Sequence, residues 1–412
     1  MAMIKVQKGT KDILPQEMPI WHLMEEKAKE IFTNYGACEI RTPIFEATEL
    51  FARGVGDTTD IVNKEMYTFE KSDRSLTLRP ENTAGVVRSF IENGMHRLSS
   101  PIKLWYKGPM FRYERPQAGR QRQFHQVGVE VFGIKQPSAD AEVILMAVNY
   151  LKSLGLNDLT VELNSLGCPN CREEFKKHLK DVIRPYLGCL CEDCQNRFEK
   201  NPLRLLDCKS LECQEIYSKP EIQSVIQGDF ICEECSNHFE ELQNYLDNLG
   251  IKYTRNKLLV RGLDYYNRTV FEIKSNNLGS QNAVCGGGRY DSLVRNLGGE
   301  DIPAIGFAMG MERLASLIGT KEEEKLTAYI VSNNLMEAFK LCEELRAEGI
   351  SSEFDLTNKK FVKQLEKASK VARYALILGE DELAKNQITV KNLDSGNQKT
   401  VNRDEMIYTI SS

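Results

Sequence analysis

From Ile4 to about Gly167 the apolar positions switch between helical spacing and short β-rich runs. The runs Ser75-Leu76-Thr77-Leu78-Arg79, Ile102-Lys103-Leu104-Trp105-Tyr106 and Gly128-Val129-Glu130-Val131-Phe132 predict strands of a mixed or antiparallel sheet. From about Cys168 to Gly250 the pattern becomes one of charged helical segments, which reads as an insertion. Strand signals resume at Lys257-Leu258-Leu259-Val260-Arg261 and Thr269-Val270-Phe271-Glu272-Ile273-Lys274, followed by a glycine-dense turn and a helical stretch from Gly306 to Ile318. The sheet is therefore expected to close around the insertion, using sequence from both sides. A charged break from Lys321 to Lys325 precedes strand Ala328 to Ser332, helix Met336 to Glu348, strand Ser351 to Asp355, helix Phe361 to Val371 and strand Tyr374 to Leu378. This βαβαβ alternation predicts a separate small α/β domain. The expected fold class is α/β: an α+β domain with a mostly antiparallel sheet (1–167 and 251–320), a helical cysteine-rich insertion (168–250), and a C-terminal α/β domain with a mixed sheet (326–412).

Length agrees with this division, since 412 residues at about 100 to 200 per domain give two or three domains. Hydrophobic content of 41% and charged content of 27% are those of a chain that buries a large core. Met1 to Leu14 lacks the basic-then-apolar plan of a signal peptide, and no run reaches the roughly 20 apolar residues of a membrane span. A cytoplasmic location is expected, with no membrane partner. Nine of the twelve cysteines fall between Cys168 and Cys235. In a reducing compartment they read as thiols or metal ligands rather than disulfides. A net charge of −5 argues against uniform coating by nucleic acid but leaves room for a local basic surface.

No phosphate loop of the G-x-x-x-x-G-K-[ST] type is present, no H-E-x-x-H and no G-x-S-x-G. The chain instead places arginines at the ends of expected strands. Phe111-Arg112-Tyr113-Glu114 leads into a turn-forming loop with Arg115, Arg120 and Arg122 before Phe124. Guanidinium forks suit phosphate oxygens, and an aromatic beside them can stack on a base; a solvated hairpin loop would read the same way. Arg261-Gly262-Leu263-Asp264-Tyr265-Tyr266 packs a cation, a carboxylate and two phenols into one segment. Gly286-Gly287-Gly288 allows close backbone approach to a ligand, or forms a strand bend. Gly306 to Arg313 joins small residues to an arginine, as would a packed helix with a surface ion pair.

Taken in order, these segments resemble the signatures of class II aminoacyl-tRNA synthetases. Arg41-Thr42-Pro43-Ile44-Phe45-Glu46 is similar to the proline-bearing first, Phe111-Arg112-Tyr113-Glu114 to the second, and Gly306 to Arg313 to the third. Within that class, Leu78-Arg79-Pro80-Glu81-Asn82-Thr83 and the Arg261 to Tyr266 segment resemble the histidyl-tRNA synthetase family over nearly the whole chain. Asn82 departs from the expected pattern, which has glycine there. The resemblance implies ATP-dependent activation of histidine as its adenylate and transfer to tRNA(His), with Mg²⁺ bridging the outer phosphates. Arg112 and Arg261 would stabilise the charge developing at the α-phosphate. Arg313 and Phe124 would sandwich the adenine, with Arg120 and Arg122 on the ATP tail or the acceptor end. Glu81, Thr83 and Gln126 would hold the ammonium group, Glu130 and Tyr266 the imidazole, and Tyr265 and Tyr290 would complete the pocket. The resemblance also implies an anticodon-binding role for 326–412 and a homodimer whose interface includes the first signature around Pro43. Three rival readings are a non-catalytic relative that senses histidine or tRNA, a simple RNA-binding module, and a synthetase for threonine, proline or glycine.

The insertion is also a candidate zinc domain. Its cysteines include Cys168-x-x-Cys171, Cys191-x-x-Cys194 and Cys232-x-x-Cys235, with Cys189, Cys208 and Cys213 beside them. Two C-x-x-C pairs can close a tetrahedral site. The similar Cys-Glu-Asp-Cys and Cys-Glu-Glu-Cys turns suggest pairing Cys191 and Cys194 with Cys232 and Cys235, the remaining cysteines supplying a second site. Reduced structural thiols are the alternative.

Overall fold

The computed structural model describes residues 3–57, 59–117, 119–228, 230–275, 282–319, 325–357 and 359–411. Ala118 and the charged break at 321–324 lie outside them. The chain divides into two compact units, Met1–Lys321 and Glu322–Ser412.

In the first unit the strands are β1 (Cys38–Glu39), β2 (Phe45–Ala47), β3 (Tyr67–Lys71), β4 (Arg74–Leu78), β5 (Ile102–Phe111), β6 (Gln123–Phe132), β7 (Leu159–Ser165), β8 (Tyr253–Arg255), β9 (Asn267–Ser275), β10 (Ala283–Arg289) and β11 (Ala304–Gly310). Eight of them form one sheet in the order β1-β5-β6-β11-β10-β9-β7-β8, and β2-β4-β3 form a second, smaller sheet. The large sheet is antiparallel except at β1 with β5 and β7 with β8. β7 precedes the insertion and pairs with β9, which follows it. The sheet closes around the insertion as the patterning predicts.

Strand alternation sorts the sheet into two faces. Val127, Val129 and Val131 of β6 are buried against helices Met18–Asn34 and Pro137–Ser153, together with Phe239, Leu242 and Leu246 of the insertion's last helix, Glu233–Asn248. The other face packs Leu104, Tyr106, Met110 and Phe132 against Val86, Val87 and Phe90 of helix Thr83–Glu92, and against Tyr265, Tyr266 and Tyr290. The insertion has its own small core, which includes Leu179, Ile183, Phe198, Leu205 and Ile222. His238 pins the insertion's last helix to the body through Asp140 (2.7 Å), which in turn pairs with the fully buried Arg289.

Two expectations change. Lys257 to Arg261 is not a strand: the Leu259 N–H turns back to the Asn256 carbonyl (2.9 Å), and Asn164 donates to the Lys257 and Leu259 carbonyls, so the ladder groups are already used. Gly306 is not helical either. It lies in the middle of β11, paired with Glu130 of β6 on one side and Gly288 of β10 on the other, and the helix begins only at Met311.

The second unit is a five-stranded mixed sheet from strands β12 (Leu326–Ser332), β13 (Ser352–Phe354), β14 (Ala372–Leu378), β15 (Gln387–Asn392) and β16 (Gln398–Asn402), ordered β13-β12-β14-β15-β16. β12 is parallel to both neighbours, and the return strands β15 and β16 are antiparallel. Helix Leu335–Ala347 starts at Asn334, whose side chain accepts from the Glu337 N–H (3.2 Å).

Candidate active site

Even-numbered residues of β6 face away from the helical layer and form the floor of a cleft of about 720 Å³. Phe124 and Gln126 line it, and Glu130 lies beneath. Across the ladder two of them have a glycine partner on β11: Gly310 opposite Gln126, Gly306 opposite Glu130. A Cβ on Gly306 would overlap the Glu130 carboxylate, so the glycine is required by close approach.

Glu130 is organised by three hydroxyls. Thr83 Oγ1 donates to Oε1 at 2.7 Å, Tyr106 to the same oxygen at 3.3 Å, and Tyr290 to Oε2. Burial pushes its carboxyl up to about 8, against the opposing effect of those hydrogen bonds and with repulsion from Glu81 adding to the rise. A carboxylate offers about four lone-pair sites, so three donors leave one on Oε2. Glu81 is itself buried and raised by burial, although the Thr83 and Ala84 N–H groups at the start of helix Thr83–Glu92 donate to it at 2.7 and 2.9 Å. Those donors are the unsatisfied amides of a helix N-terminus, which favours negative charge there. Asn82 caps the site from behind: its Oδ1 accepts from Thr42 (2.6 Å) and from the buried Arg79 (3.2 Å), tying the Pro43 segment to the Glu81 turn. A glycine could not make those bonds.

The cationic wall comes from four places. Arg112, just after β5, donates to the Pro80 carbonyl (2.8 Å) and lies 5.3 Å from the Phe124 ring centroid. Arg313, in the first turn of helix Met311–Ile318, donates to Gly119 O (3.2 Å) and Ala283 O (2.7 Å). Its guanidinium is lowered by burial and then by the positive charge of Arg120. Arg120 pairs only loosely with Glu114, at 3.4 Å. Arg261 lies over Gly286, where a Cβ would collide with its guanidinium, and is ion-paired to Glu272 of β9. The glycine run is thus neither a turn nor a simple bend. β10 is a central strand whose missing side chains seat Arg261 and the Phe271 ring.

Of the residues expected at the site, Arg112, Arg120, Phe124, Arg261, Arg313, Glu81, Thr83, Gln126, Tyr265 and Tyr266 all line this one cleft. Tyr290 and Glu130 sit behind it, bonded to each other. Arg122 is not among the lining residues: it stacks on Tyr113 (3.9 Å to the centroid) and its backbone N–H donates to Gly9 O. Sequence reasoning missed Tyr106, whose even position in β5 was the available signal, and Glu272. It also missed Arg197 and Arg204, which reach the cleft from the insertion through Asp60 at 2.9 and 3.3 Å. Two polar atoms in the wall, Gln126 Oε1 and Arg261 Nε, are buried without a hydrogen-bond partner. Buried polar atoms normally find partners, so these mark positions suited to a polar ligand.

The expected cysteine pairing is overturned. Cys191 and Cys194 assemble with Cys208 and Cys213, whereas Cys232 and Cys235 assemble with Cys168 and Cys171. Packing of the insertion's helices, not the likeness of the two turns, selects the partners. These two sets are the metal-competent groups among the described residues, and no carboxylate cage for Mg²⁺ accompanies them.

Comparison with known proteins agrees with this geometry. A family model described as histidyl-tRNA synthetase matches residues 9–170 and 221–314, skipping the middle of the insertion, and one described as an anticodon binding domain matches 319–412. The histidine--tRNA ligase of Thermosipho melanesiensis is 49% identical over 419 aligned positions, covering 99% of this chain and 98% of the relative. The crystal structure of apo S. aureus histidyl-tRNA synthetase superposes with a TM-score of 0.82 at 39% identity, covering 100% of both chains. An ATP phosphoribosyltransferase regulatory subunit/histidyl-tRNA synthetase from Bacillus halodurans shares the fold, with a TM-score of 0.67 at 23% identity over 92% of this chain and 99% of that one.

Proposed function

The chain belongs to the histidyl-tRNA synthetase family and ligates histidine to tRNA(His) with ATP, and we propose that the cleft between β6, the Glu81 turn and the Arg261–Tyr266 segment is where the histidyl adenylate forms. The observation that carries this is the meeting at one cleft of a buried carboxylate in its wall, Glu81, a second just beneath it, Glu130, an unpartnered amide oxygen and six arginines. An amino-acid zwitterion beside a polyphosphate needs that combination.

In this reading Glu81, Thr83 and Gln126 hold the ammonium group, the free acceptor being Gln126 Oε1. Glu130 and Tyr266 take the two imidazole nitrogens, and Tyr265 and Tyr290 close the pocket. An apolar isostere would leave Glu130 buried without its last partner, which is how a polar pocket rejects wrong amino acids. The histidine carboxylate oxygen attacks the α-phosphorus, the bond to the β-phosphate breaks, and pyrophosphate leaves. Arg112 and the unpartnered Nε–H of Arg261 lie in the cleft to meet the charge on the phosphoryl oxygens. Arg313 and Phe124 flank the adenine, with Arg120 on the phosphate tail. The terminal ribose hydroxyl of tRNA(His) then attacks the carbonyl, and AMP leaves. Mg²⁺, when bound, would offset charge on the outer phosphates. It typically takes one or two carboxylates with substrate oxygens and water, and the cleft wall offers Glu114, Glu272 and Glu312. Zinc held by insertion thiols completes the cofactors.

The protein acts as a cytoplasmic homodimer in this account. No helix among the described residues is long and apolar enough to cross a membrane. The dimer is supported by Ile44, Phe45 and Phe69, which are 43%, 54% and 44% exposed on and beside the small sheet next to Pro43. The 319–412 region is the anticodon-binding partner of the tRNA.

Gln126→Met tests the histidine site cleanly, because it removes an acceptor that no protein donor uses and so spares the fold. The KM for histidine in tRNA(His) charging is expected to rise with little change in melting temperature. An unchanged KM would contradict the ammonium assignment.

A further inference from the structure

The insertion's cysteines form two sets of four. In each, Cys168, Cys171, Cys232 and Cys235 or Cys191, Cys194, Cys208 and Cys213, the sulfurs all lie within 4.8 Å of one another. Four sulfurs at ~2.3 Å from a zinc ion at tetrahedral corners stand about 3.8 Å apart. The Cys168–Cys171 and Cys191–Cys208 separations are 3.5 and 3.8 Å. All eight are free thiols, so no disulfide occupies either set.

Backbone donors converge on the same sulfurs. The Cys168 N–H points at Cys235 Sγ (3.2 Å) and the Cys232 N–H at Cys171 Sγ (3.1 Å), each first cysteine serving the second cysteine of the opposite pair. In the other set the Cys191 N–H points at Cys213 Sγ (3.3 Å), and the Tyr217 hydroxyl donates to Cys194 Sγ (3.4 Å). A neutral thiol is a weak acceptor and does not require such donors, whereas a metal-bound thiolate does. Cys168, Cys191 and Cys232 are each the N-cap of a helix, and their C-x-x-C partners sit in its first turn. Three positive helix ends therefore face sulfur.

We propose that the insertion holds two zinc ions, one in each cysteine set, and that the first fixes the histidine-side loop of the active site. Four sulfur ligands in a tetrahedron, with no open position, make a structural site. The first set joins the entry of the insertion, Cys168 and Cys171, to the start of its last helix, Cys232 and Cys235, which returns the chain to the catalytic body. Arg172, the residue after Cys171, donates to the carbonyls of Asp264 (3.3 Å) and Tyr266 (2.7 Å). The second set ties helix Glu192–Lys200, with Cys191 at its cap and Cys194 in its first turn, to Cys208 and to Cys213 on helix Leu211–Tyr217. Arg197 of the first of these helices reaches Asp60, and Asn201 just after it donates to Asp264. Metal that orders the insertion thereby orders the Arg261–Tyr266 segment. Only this coupling rests on the histidine pocket described above; the metal content does not.

Metal analysis of the full chain purified without chelator is expected to give two zinc per chain, and one each for Cys168→Ser/Cys171→Ser and Cys208→Ser/Cys213→Ser. Less than about half an equivalent of zinc in the wild type would overturn both sites, and an unchanged content in either variant would overturn that ligand set. Should a variant fail to fold, refolding the wild type with Co²⁺ gives a second readout: thiolate-to-cobalt absorption must titrate to two equivalents, and its absence refutes the proposal. For the first variant the histidine KM in pyrophosphate exchange is expected to rise about tenfold or more with a smaller change for ATP, the scale on which misplaced binding groups register. Equal KM values with only a lower melting temperature would overturn the coupling. Wild-type exchange with histidine tests the functional reading separately.

Discussion

Replacing Glu130 with glutamine should weaken the enzyme and strengthen the fold, in a pH-dependent way. Glu130 is 1% exposed, and burial holds its carboxyl at about 8 instead of the ordinary 4.5. The folded chain therefore keeps a proton that the unfolded chain gives up. That contribution is complete below about pH 4.5 and is lost as the pH climbs towards 8. At ~1.36 kcal/mol for each tenfold difference in proton affinity, the interval from 4.5 to about 8 bounds the loss at roughly 4 to 5 kcal/mol. Glutamine carries no charge, still accepts from Thr83 and Tyr106 through its oxygen, and presents its amide to Tyr290. Melting curves without histidine, recorded from pH 5 to 8.5, should show the variant close to wild type at the acid end. At the alkaline end it should be more stable by several degrees, since 1 kcal/mol is worth about 2–4 °C in domains of 150–250 residues. Saturating histidine should raise the wild-type melting temperature and raise the variant's far less. A difference between the two proteins that stays flat across the pH range would refute the buried-carboxylate reasoning.

Three further outcomes follow from named contacts. Arg261→Ala should cut single-turnover adenylation by about 10² to 10³, or ~2.7 to 4 kcal/mol, while histidine affinity changes much less; full single-turnover activity would remove Arg261 from the mechanism. Gly286→Ala should act like a milder version of the same change, because the new Cβ collides with the Arg261 guanidinium; rapid-quench adenylation equal to wild type would show that Arg261 need not rest on β10. Ile44→Lys with Phe45→Lys should shift light scattering from dimer to monomer at micromolar protein, and a wild type that scatters as an active monomer would refute the dimer outright.

The sequence carried the layout well because strand alternation and the return of β signals after the insertion are local patterns. It was misleading where function reshapes a strand. β6 begins at Gln123, but its first half is interrupted by polar residues, Gln126 facing the cleft and His125 packed on Trp21 on the other side, so only Gly128 to Phe132 looked like a strand. β10 looked like a turn because its glycines make room for Arg261 and Phe271, a contact with residues that no local window includes. Lys257 to Arg261 had the composition of a strand, yet Asn164, 93 and 95 residues away, holds its carbonyls. The cysteine partners failed for the same reason: Cys171 and Cys232 are 61 residues apart, and helix packing rather than motif likeness brings them together. Asn82 looked like a departure to be tolerated. In the fold it is a junction between Thr42 and Arg79.

The central claim is that this one cleft activates histidine, and ATP–pyrophosphate exchange driven by each of the twenty amino acids in turn tests it most directly. The account predicts exchange with histidine alone, lost in Arg261→Ala and impaired at low histidine in Gln126→Met. Exchange driven by threonine, proline or glycine, or no exchange with any amino acid by a folded enzyme given ATP and Mg²⁺, would contradict it.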